Sequence, residues 1–189
     1  MSAQDSKLFV ISGPSGAGKG TLVTRVRERR SNLGLTVSAT TRAPRKGEVD
    51  GVNYFFLTRE EFDRRVANGE FVEWAEVHGN CYGTLVSEVT SKLASGSSLI
   101  LEIDVQGALQ VKERFPEAVL IFIKPPSLEV LRERLVGRGT ETPETIELRM
   151  ANAADELALA DRYDEDVVND DLDRATDELV RVLDMHERI

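Results

Sequence analysis

The segment with the most specific chemistry is a glycine-rich run that ends in a lysine, Gly13-Pro14-Ser15-Gly16-Ala17-Gly18-Lys19. Its spacing matches the G-x-x-x-x-G-K part of a phosphate-binding loop. In such a loop the backbone N–H groups turn toward one anion, the next helix adds positive potential at its N-terminus, and the lysine reaches the outer phosphates. We therefore predict that this loop, with Gly20 and Thr21 after it, binds the phosphates of a nucleotide.

The residue after the loop lysine departs from the usual pattern. Gly20 stands where Ser or Thr commonly supplies a hydroxyl to Mg2+. We expect Thr21 or a bound water to make that contact instead. Glu102, at the end of an apolar run, is expected to orient water on the metal.

The nucleotide in the loop is not expected to be GTP. The run Asp104-Val105-Gln106-Gly107 fits the D-x-x-G pattern of GTPases, but the chain contains no Asn-Lys-x-Asp, the element with which GTPases usually read guanine. A phosphate loop alone does not name a reaction, since several enzyme classes share it. The acceptor must be identified from other residues.

Four short apolar runs predict buried strands, and they cover residues 8–11, 98–103, 118–123 and 166–168. Helical patterns separate them, and strands that alternate with helices are typical of a parallel sheet. A helix is expected to begin near Gly18, because Leu22, Val23 and Val26 recur at helical spacing. The predicted fold class is α/β with a parallel core sheet.

Two stretches differ from this core. Residues 36–84 carry half-exposed strand patterns at 53–56 and 70–74, which predicts an inserted lobe with a small sheet. Residues 125–159 form two charged helical patterns, and Thr142-Pro143-Glu144 is a good start for the second. We expect one domain over 1–189, with a core at 1–35, 85–124 and 160–189, the lobe at 36–84, and a helical lid at 125–159.

The composition excludes several classes of protein. A net charge of -9 argues against nonspecific nucleic-acid binding, which needs a surplus of Lys and Arg. The single cysteine, Cys81, excludes an internal disulfide, and the start of the chain lacks the layout of a secretion signal. No apolar stretch approaches the about 18 residues that cross a bilayer. We expect a cytoplasmic protein without nucleic-acid or membrane partners, either a monomer or a homo-oligomer.

Several motifs together resemble the guanylate kinase family in order along nearly the whole chain. They are Ser38 to Glu48, Gly51 to Tyr54, Glu73-Trp74, Gly79 to Thr84, Glu102 to Gly107, Gly137 to Glu141 and Val168 to Leu172. The resemblance implies a three-layer P-loop kinase with a GMP-binding lobe carrying a small mixed sheet and with a helical lid. It also implies transfer of the γ-phosphoryl group of ATP to GMP and dGMP, with Mg2+, in purine nucleotide metabolism and GMP recycling.

The resemblance assigns the acceptor site residue by residue. It implies that the GMP phosphate is bound by Arg42, Arg45, Tyr54 and Tyr82, and that the base is read by Glu73 and Asp104 with Ser38 and Thr84. The chemistry agrees, because guanidinium groups form paired hydrogen bonds with phosphate. Guanine offers donors that carboxylates accept, whereas adenine has an acceptor at the ring nitrogen, which a carboxylate would repel.

The remaining roles concern the transfer itself. Lys19 and Arg42 are expected to be catalytic, and the resemblance places three lid arginines over the transferring phosphate: Arg134, Arg138 and Arg149. It also implies that Arg138 and Asn169 contact ATP, with Asn169 near the adenine. No general base is needed, since a phosphate monoester is largely dianionic near neutral pH.

Two alternatives remain at this stage. One is a guanylate-kinase-like interaction module that keeps the fold without catalysis, against which Lys19 and the lid arginines argue. The other is a P-loop kinase with a different acceptor such as AMP. The pair Glu73 and Asp104 favours GMP over that acceptor.

Overall fold

The computed structural model describes residues 6–77, 79–137, 139 and 142–187. In chain order its elements are β1 (Leu8–Ser12), α1 (Lys19–Arg29), β2 (Gly34–Leu35), β3 (Ala39–Thr40), β4 (Phe55–Phe56), α2 (Arg59–Ala67), β5 (Phe71–Val77), β6 (Asn80–Leu85), α3 (Val86–Ala94), β7 (Leu99–Glu102), α4 (Val105–Arg114), β8 (Val119–Lys124), α5 (Leu128–Gly137), α6 (Pro143–Leu157), β9 (Glu165–Val168) and α7 (Leu172–Glu187).

The core is a five-stranded parallel sheet in the order β2-β7-β1-β8-β9. Each of the four predicted buried strands is present, within one or two residues of the expected bounds. Only β2, two residues long at the edge, has no counterpart in the prediction, because two residues cannot show a period. The α/β fold class is confirmed.

Helices cover both faces of this sheet, so the core has three layers. Phe9 and Ile11 of β1 pack in a cluster with α1 and α7, whereas Leu8 and Val10 pack in a second cluster with α3 and α4. Successive side chains of a strand point to opposite faces, which explains the alternation. Burial on both faces also explains why the predicted strands are continuous apolar runs.

The second sheet is mixed, in the order β4-β3-β6-β5. Its strands β3 and β4 are parallel, and β6 is antiparallel to both β3 and β5. The sheet closes over its own apolar cluster, where the Phe62 and Phe71 rings stack with centroids 4.3 Å apart. The small mixed sheet is therefore confirmed, and its strand β6 is an element that the patterns at 53–56 and 70–74 did not include.

Helices α5 and α6 follow β8 and pack against each other through Leu131, Leu135, Ile146 and Ala153. The Thr142 side chain accepts the Thr145 backbone N–H, and Pro143 occupies the first turn, as the sequence predicts. Within the described ranges, no helix is long and apolar enough to span a bilayer.

Candidate active site

The phosphate loop connects the carboxyl end of β1 to the first residue of α1, Lys19. Gly13, Gly16 and Gly18 have positive φ angles of 145°, 93° and 92°. At Gly13 a Cβ would lie 2.3 Å from the Ile123 carbonyl oxygen, so only glycine fits there. The loop conformation thus depends on glycine both for backbone torsion and for close packing on β8.

Asn169 supports this loop from the far end of the chain. Its buried amide donates a hydrogen bond of 2.7 Å to the Ala17 carbonyl, and its own backbone N–H bonds to the Lys124 carbonyl at 2.8 Å. A Cβ on Gly18 would lie 2.3 Å from the Asn169 Nδ2 atom. The predicted contact of Asn169 with the donor adenine stays a prediction, but the residue does lie against the loop.

The Lys19 ammonium folds back over the loop. Its Nζ donates to the carbonyls of Gly13 at 2.5 Å and Pro14 at 3.2 Å. It is also close enough to Glu102 to act on that carboxylate: burial raises the pKa of Glu102, and the positive charge of Lys19 opposes the rise. The ammonium therefore lies over the loop carbonyls at the N-terminus of α1, and its contact with the outer phosphates stays a prediction.

The two metal candidates lie in different clefts. Glu102 and Gly20 line a cleft of ≈ 460 Å³ together with Ser38 and Tyr54 of the lobe. Thr21 lines another, of ≈ 250 Å³, with Asn169 and Arg134 among its other residues. A Cβ on Gly20 would lie 3.6 Å from Glu102 Oε1, an ordinary contact. Glu102 is therefore the carboxylate next to the position where a loop hydroxyl is missing.

Three of the four predicted phosphate ligands are brought together in the lobe. The Tyr54 and Tyr82 rings meet edge to face with centroids 6.2 Å apart, and the Arg42 guanidinium lies 5.4 Å from the Tyr54 centroid. The hydroxyl of Tyr82 also interacts with Arg42. Arg45 follows in the same loop and is exposed to solvent. Its side chain has no described contact with Arg42, Tyr54 or Tyr82.

Glu48 is a residue that the prediction did not include. Its carboxylate accepts two hydrogen bonds from Arg42, at 2.9 and 3.0 Å, and one from the Arg45 backbone at 2.6 Å. This pairing raises the pKa of Arg42 and lowers that of Glu48. Glu48 thus holds the Arg42 fork in one orientation through two parallel hydrogen bonds.

The two carboxylates that are predicted to read the base lie close together, although one belongs to the mixed sheet and the other follows a strand of the parallel sheet. Glu73 lies on β5 opposite Thr84 of β6, and Asp104 immediately precedes α4. Glu73 Oε2 and Asp104 Oδ1 lie 3.5 and 3.6 Å from the point that a Cβ on Gly107 would occupy. The structure therefore directs both carboxylates into one space.

Glu73 is only 8% exposed, and this burial raises the pKa of its carboxyl group. The nearby Thr84 hydroxyl opposes the rise and the charge of Asp104 adds to it. The buried Thr84 hydroxyl has no hydrogen-bond partner among the described residues. Its effect on the pKa of Glu73 therefore comes from its closeness to the carboxylate. The site thus holds a buried acceptor and a free hydroxyl that a polar ligand can satisfy.

Asp104 also caps a helix. Its Oδ1 accepts the Gly107 backbone N–H at 2.8 Å, which is the usual bond of an N-cap aspartate. One of its oxygens therefore stabilises α4, and the other is available for a ligand.

This division of labour can be tested with two substitutions. Asp104→Asn keeps the capping oxygen, so we expect little change in thermal stability but a GMP affinity about tenfold lower, since an amide donor replaces an acceptor. Asp104→Ala removes both functions and should cost about 1 kcal/mol of stability as well. Calorimetric titration with GMP and thermal unfolding measure the two effects.

Asp171→Asn is the matched control, because Asp171 Oδ1 accepts the Arg174 N–H at 2.9 Å at the start of α7. It should change neither property. Equal GMP affinity of Asp104→Asn and the parent would contradict the role of the second oxygen.

Two lid arginines reach the phosphate loop or its support. Arg134 on α5 donates to the Asn169 carbonyl at 2.8 Å, and Arg149 on α6 donates to the Ser15 hydroxyl. Arg138 lies outside the described residues. The structure thus brings Arg149 to the phosphate loop and Arg134 to its support, and their predicted position over the transferring phosphate stays a prediction.

Glu156 is a second residue that the sequence did not single out. It lies in the last turn of α6, where burial raises the pKa of its carboxyl group, the charge of Lys19 opposes the rise and Asp104 adds to it. It belongs to no motif, so only its placement near Lys19 identifies it.

Comparisons with known proteins agree with this geometry. The family model described as guanylate kinase matches residues 5–186. A guanylate kinase from Gloeobacter violaceus is 57% identical over 94% of this chain and 87% of its own length. One from Halalkalibacterium halodurans is 51% identical over 97% and 90%. The crystal structure of guanylate kinase from Anaplasma phagocytophilum superposes with a TM-score of 0.72 at 37% identity, over 96% of this chain and 86% of that one.

Proposed function

Because the chain belongs to the guanylate kinase family and phosphorylates GMP to GDP with ATP, we propose a division of this reaction among its residues. The phosphate loop from Gly13 to Thr21 holds ATP, the lobe holds GMP, and the lid arginines close over the transferring group. The alternative of a non-catalytic interaction module is set aside, since the relatives with high identity over nearly the whole chain are named as the enzyme.

The lobe is assigned to residues 36–84 and the lid to 125–159, with the core at 1–35, 85–124 and 160–189. This division follows the two sheets and the α5–α6 pair. The proposed sites lie where these parts meet, which is the usual location of ligand clefts.

The placement of the two carboxylates is the observation that carries the proposal. Glu73 and Asp104 bring their carboxylates to one space, where Asp104 Oδ1 caps α4 and its other oxygen is left for a ligand, and the Thr84 hydroxyl lies beside Glu73. Guanine presents adjacent donors to such a pair and AMP does not, so AMP would leave the buried Glu73 carboxylate unpaired. Ser38 lines the neighbouring cleft and completes the acceptor site. We extend the acceptors to dGMP.

Phosphoryl transfer requires positioning and positive charge more than covalent chemistry. Lys19 would neutralise the outer phosphates of ATP, and Arg42 and Arg45 with Tyr54 and Tyr82 would hold the acceptor phosphate. Arg134, Arg149 and, by resemblance, Arg138 would add charge as the lid closes and excludes water. The contacts of Arg134 with the Asn169 carbonyl and of Arg149 with Ser15 support this placement.

We propose Mg2+ as the cofactor, brought with ATP. The described residues contain no group of three or more acidic, His or Cys side chains suited to a metal. Glu102, beside Gly20, is the carboxylate that fits a water of that ion. Bound Mg2+ neutralises charge on the phosphate oxygens. Thr21 is the less favoured ligand, because it lines the other cleft.

The cellular role is proposed as GMP recycling within purine nucleotide metabolism in the cytoplasm, as a monomer or homo-oligomer without nucleic-acid or membrane partners. An excess of acidic over basic residues, 33 against 24, supports the absence of nucleic acid.

A coupled ADP-release assay with GMP, dGMP, AMP, UMP and CMP tests the acceptor assignment. We expect turnover with GMP and dGMP, and a kcat/KM for AMP lower by at least about 10⁴. Comparable turnover with AMP would refute base reading by the carboxylate pair, and an absence of turnover with GMP in folded protein with Mg2+ would refute the activity itself.

A further inference from the structure

Gly107 lies at the point where the two base-reading carboxylates meet. It is a buried residue of the first turn of α4, and its N–H bonds to Asp104 Oδ1 at 2.8 Å. A Cβ at this position would lie 3.5 Å from Glu73 Oε2, 3.6 Å from Asp104 Oδ1 and 3.3 Å from the Ile103 Cδ1 atom. The space in question is therefore bordered by both carboxylates and one methyl group.

The backbone does not explain glycine here. Gly107 is not among the glycines with positive φ, unlike Gly13 and Gly18 of the phosphate loop. A glycine inside a helix costs about 1 kcal/mol relative to alanine. The two carboxylate oxygens would lie at ordinary van der Waals distance from a Cβ, and only Ile103 Cδ1, at 3.3 Å, would have to shift by a few tenths of an ångström, which the end of a flexible side chain can do. Folding alone would therefore favour alanine at this position.

We propose that Gly107 is a specificity-determining residue for the acceptor base, because its missing side chain keeps the space between Glu73 and Asp104 open to the donor edge of guanine. A methyl group there would contact an oxygen of each carboxylate. These would be ordinary van der Waals contacts, so the oxygens need not move, but the methyl group would fill the space beside the two carboxylates and exclude water and ligand donors from that side of Glu73 Oε2.

This inference rests on the proposed reading of guanine by Glu73 and Asp104. It adds that α4 contributes to recognition because Gly107 has no Cβ. The Gly107 N–H has a separate effect, since it orients Asp104. The same residue thus has two effects, and substitution by alanine separates them because alanine keeps the N–H.

The test is Gly107→Ala in the full chain. We expect the KM for GMP to rise about tenfold, equivalent to about 1.4 kcal/mol. The KM for ATP and the kcat at saturating GMP should stay within about twofold, because the change affects only binding of the base. The melting temperature without nucleotide should be equal to or higher than that of the parent, as helix propensity predicts.

Gln106→Ala is the matched control, since this neighbour is exposed on the same turn; it should leave both KM values unchanged. Gly107→Ser is a second variant, in which the added hydroxyl can donate to the carboxylates in place of guanine. We expect it to weaken GMP binding at least as much as alanine does.

An unchanged KM for GMP in Gly107→Ala overturns the inference. So does a lower melting temperature with both KM values raised, which would indicate a packing role. Glu73→Gln and Asp104→Asn, measured in the same assay, separate the role of Gly107 from the base-reading assignment. If these two variants weaken GMP binding and Gly107→Ala does not, only the role of Gly107 is refuted. If none of the three variants changes the KM for GMP, the base-reading assignment fails with it.

Discussion

Replacing Lys19 with methionine is expected to lower kcat for GMP phosphorylation by about a thousandfold or more, the scale of losing a preorganised charge at a phosphoryl-transfer site. Methionine keeps the length of the side chain and removes only the ammonium. That ammonium lies over the carbonyls of Gly13 and Pro14, at the centre of the loop. The loop backbone should survive, because its glycine torsions and the Asn169 amide support it independently of Lys19.

GMP binding is the contrasting property in this experiment. The proposed GMP ligands lie on the lobe and at Asp104, so the dissociation constant for GMP should be close to that of the parent. Titration calorimetry with GMP alone and a steady-state assay with saturating ATP and GMP give the two quantities. Lys7→Met is the matched control, because Lys7 precedes β1 at the opposite end of the strand from the loop.

Turnover of Lys19→Met within about tenfold of the parent would contradict the assigned role. A large loss of GMP affinity in the same variant would instead indicate that the loop and the lobe are coupled before ATP binds. The control should keep full activity, which separates loss of this ammonium from loss of one positive charge in general.

Replacing Glu73 with glutamine is expected to lower kcat/KM for GMP by about a hundredfold, equivalent to about 2.7 kcal/mol. The amide presents at most one acceptor and adds a donor that faces the guanine donors. Selectivity against AMP should fall as well, since the charge that repels the adenine ring nitrogen is gone. Glu76→Gln is the matched control, because Glu76 lies on the same strand but is exposed. Unchanged selectivity in Glu73→Gln would count against the carboxylate reading.

The pH dependence of this site follows from the burial of Glu73, which raises the pKa of its carboxyl group. As the pH falls through that raised value, the parent should lose GMP affinity because the acceptor becomes protonated. The glutamine variant should lack this inflection. Titrations with GMP between about pH 4 and 8, bracketing the ordinary range of a carboxyl and its upward shift, measure the difference.

The contribution of Glu73 to the free energy of unfolding should change with pH in the opposite direction to its contribution to GMP affinity: it falls as the pH rises. A folded-state pKa above the unfolded value means that the contribution of Glu73 to stability is complete below the unfolded pKa and is lost as the pH rises through the folded pKa. Above the folded-state pKa the ionised, buried carboxylate is therefore unfavourable without ligand. Glu73→Gln should melt at a higher temperature than the parent in the absence of GMP, and the parent should gain more from added GMP.

The inserted lobe illustrates how far sequence patterns extend. The half-exposed patterns at 53–56 and 70–74 correspond to β4 and β5, because alternating side chains report a half-buried strand. Strand β6 carries Tyr82, Gly83 and Thr84, and its short polar and glycine residues show no such alternation. Its pairing with β5 also needs Gly83, where a Cβ would lie 2.8 Å from the Glu73 carbonyl. That requirement arises only when the two strands are side by side.

The candidate site was predictable where it rests on a local motif or on family resemblance. The phosphate loop and the capping by Thr142 involve adjacent residues, and the structure has both. Glu48, Glu156 and Gly107 were not predicted. Glu156 lies near Lys19 and Gly107 lies near Glu73, which are remote in the chain. Glu48 is near its partner Arg42 in the sequence, but their ion pair depends on the fold of the intervening loop.

By itself the sequence determined the phosphate loop, the four central strands and the starts of their helices, since these depend on glycine torsions, apolar periodicity and capping within a few residues. The resemblance then indicated which side chains are proposed to bind GMP. Only the tertiary structure decided how they meet: Asn169 against Ala17, Arg149 against Ser15, and Glu73 with Asp104 around Gly107. The physical reason is that these distances depend on strand register and helix packing, which bring together residues that no local pattern connects.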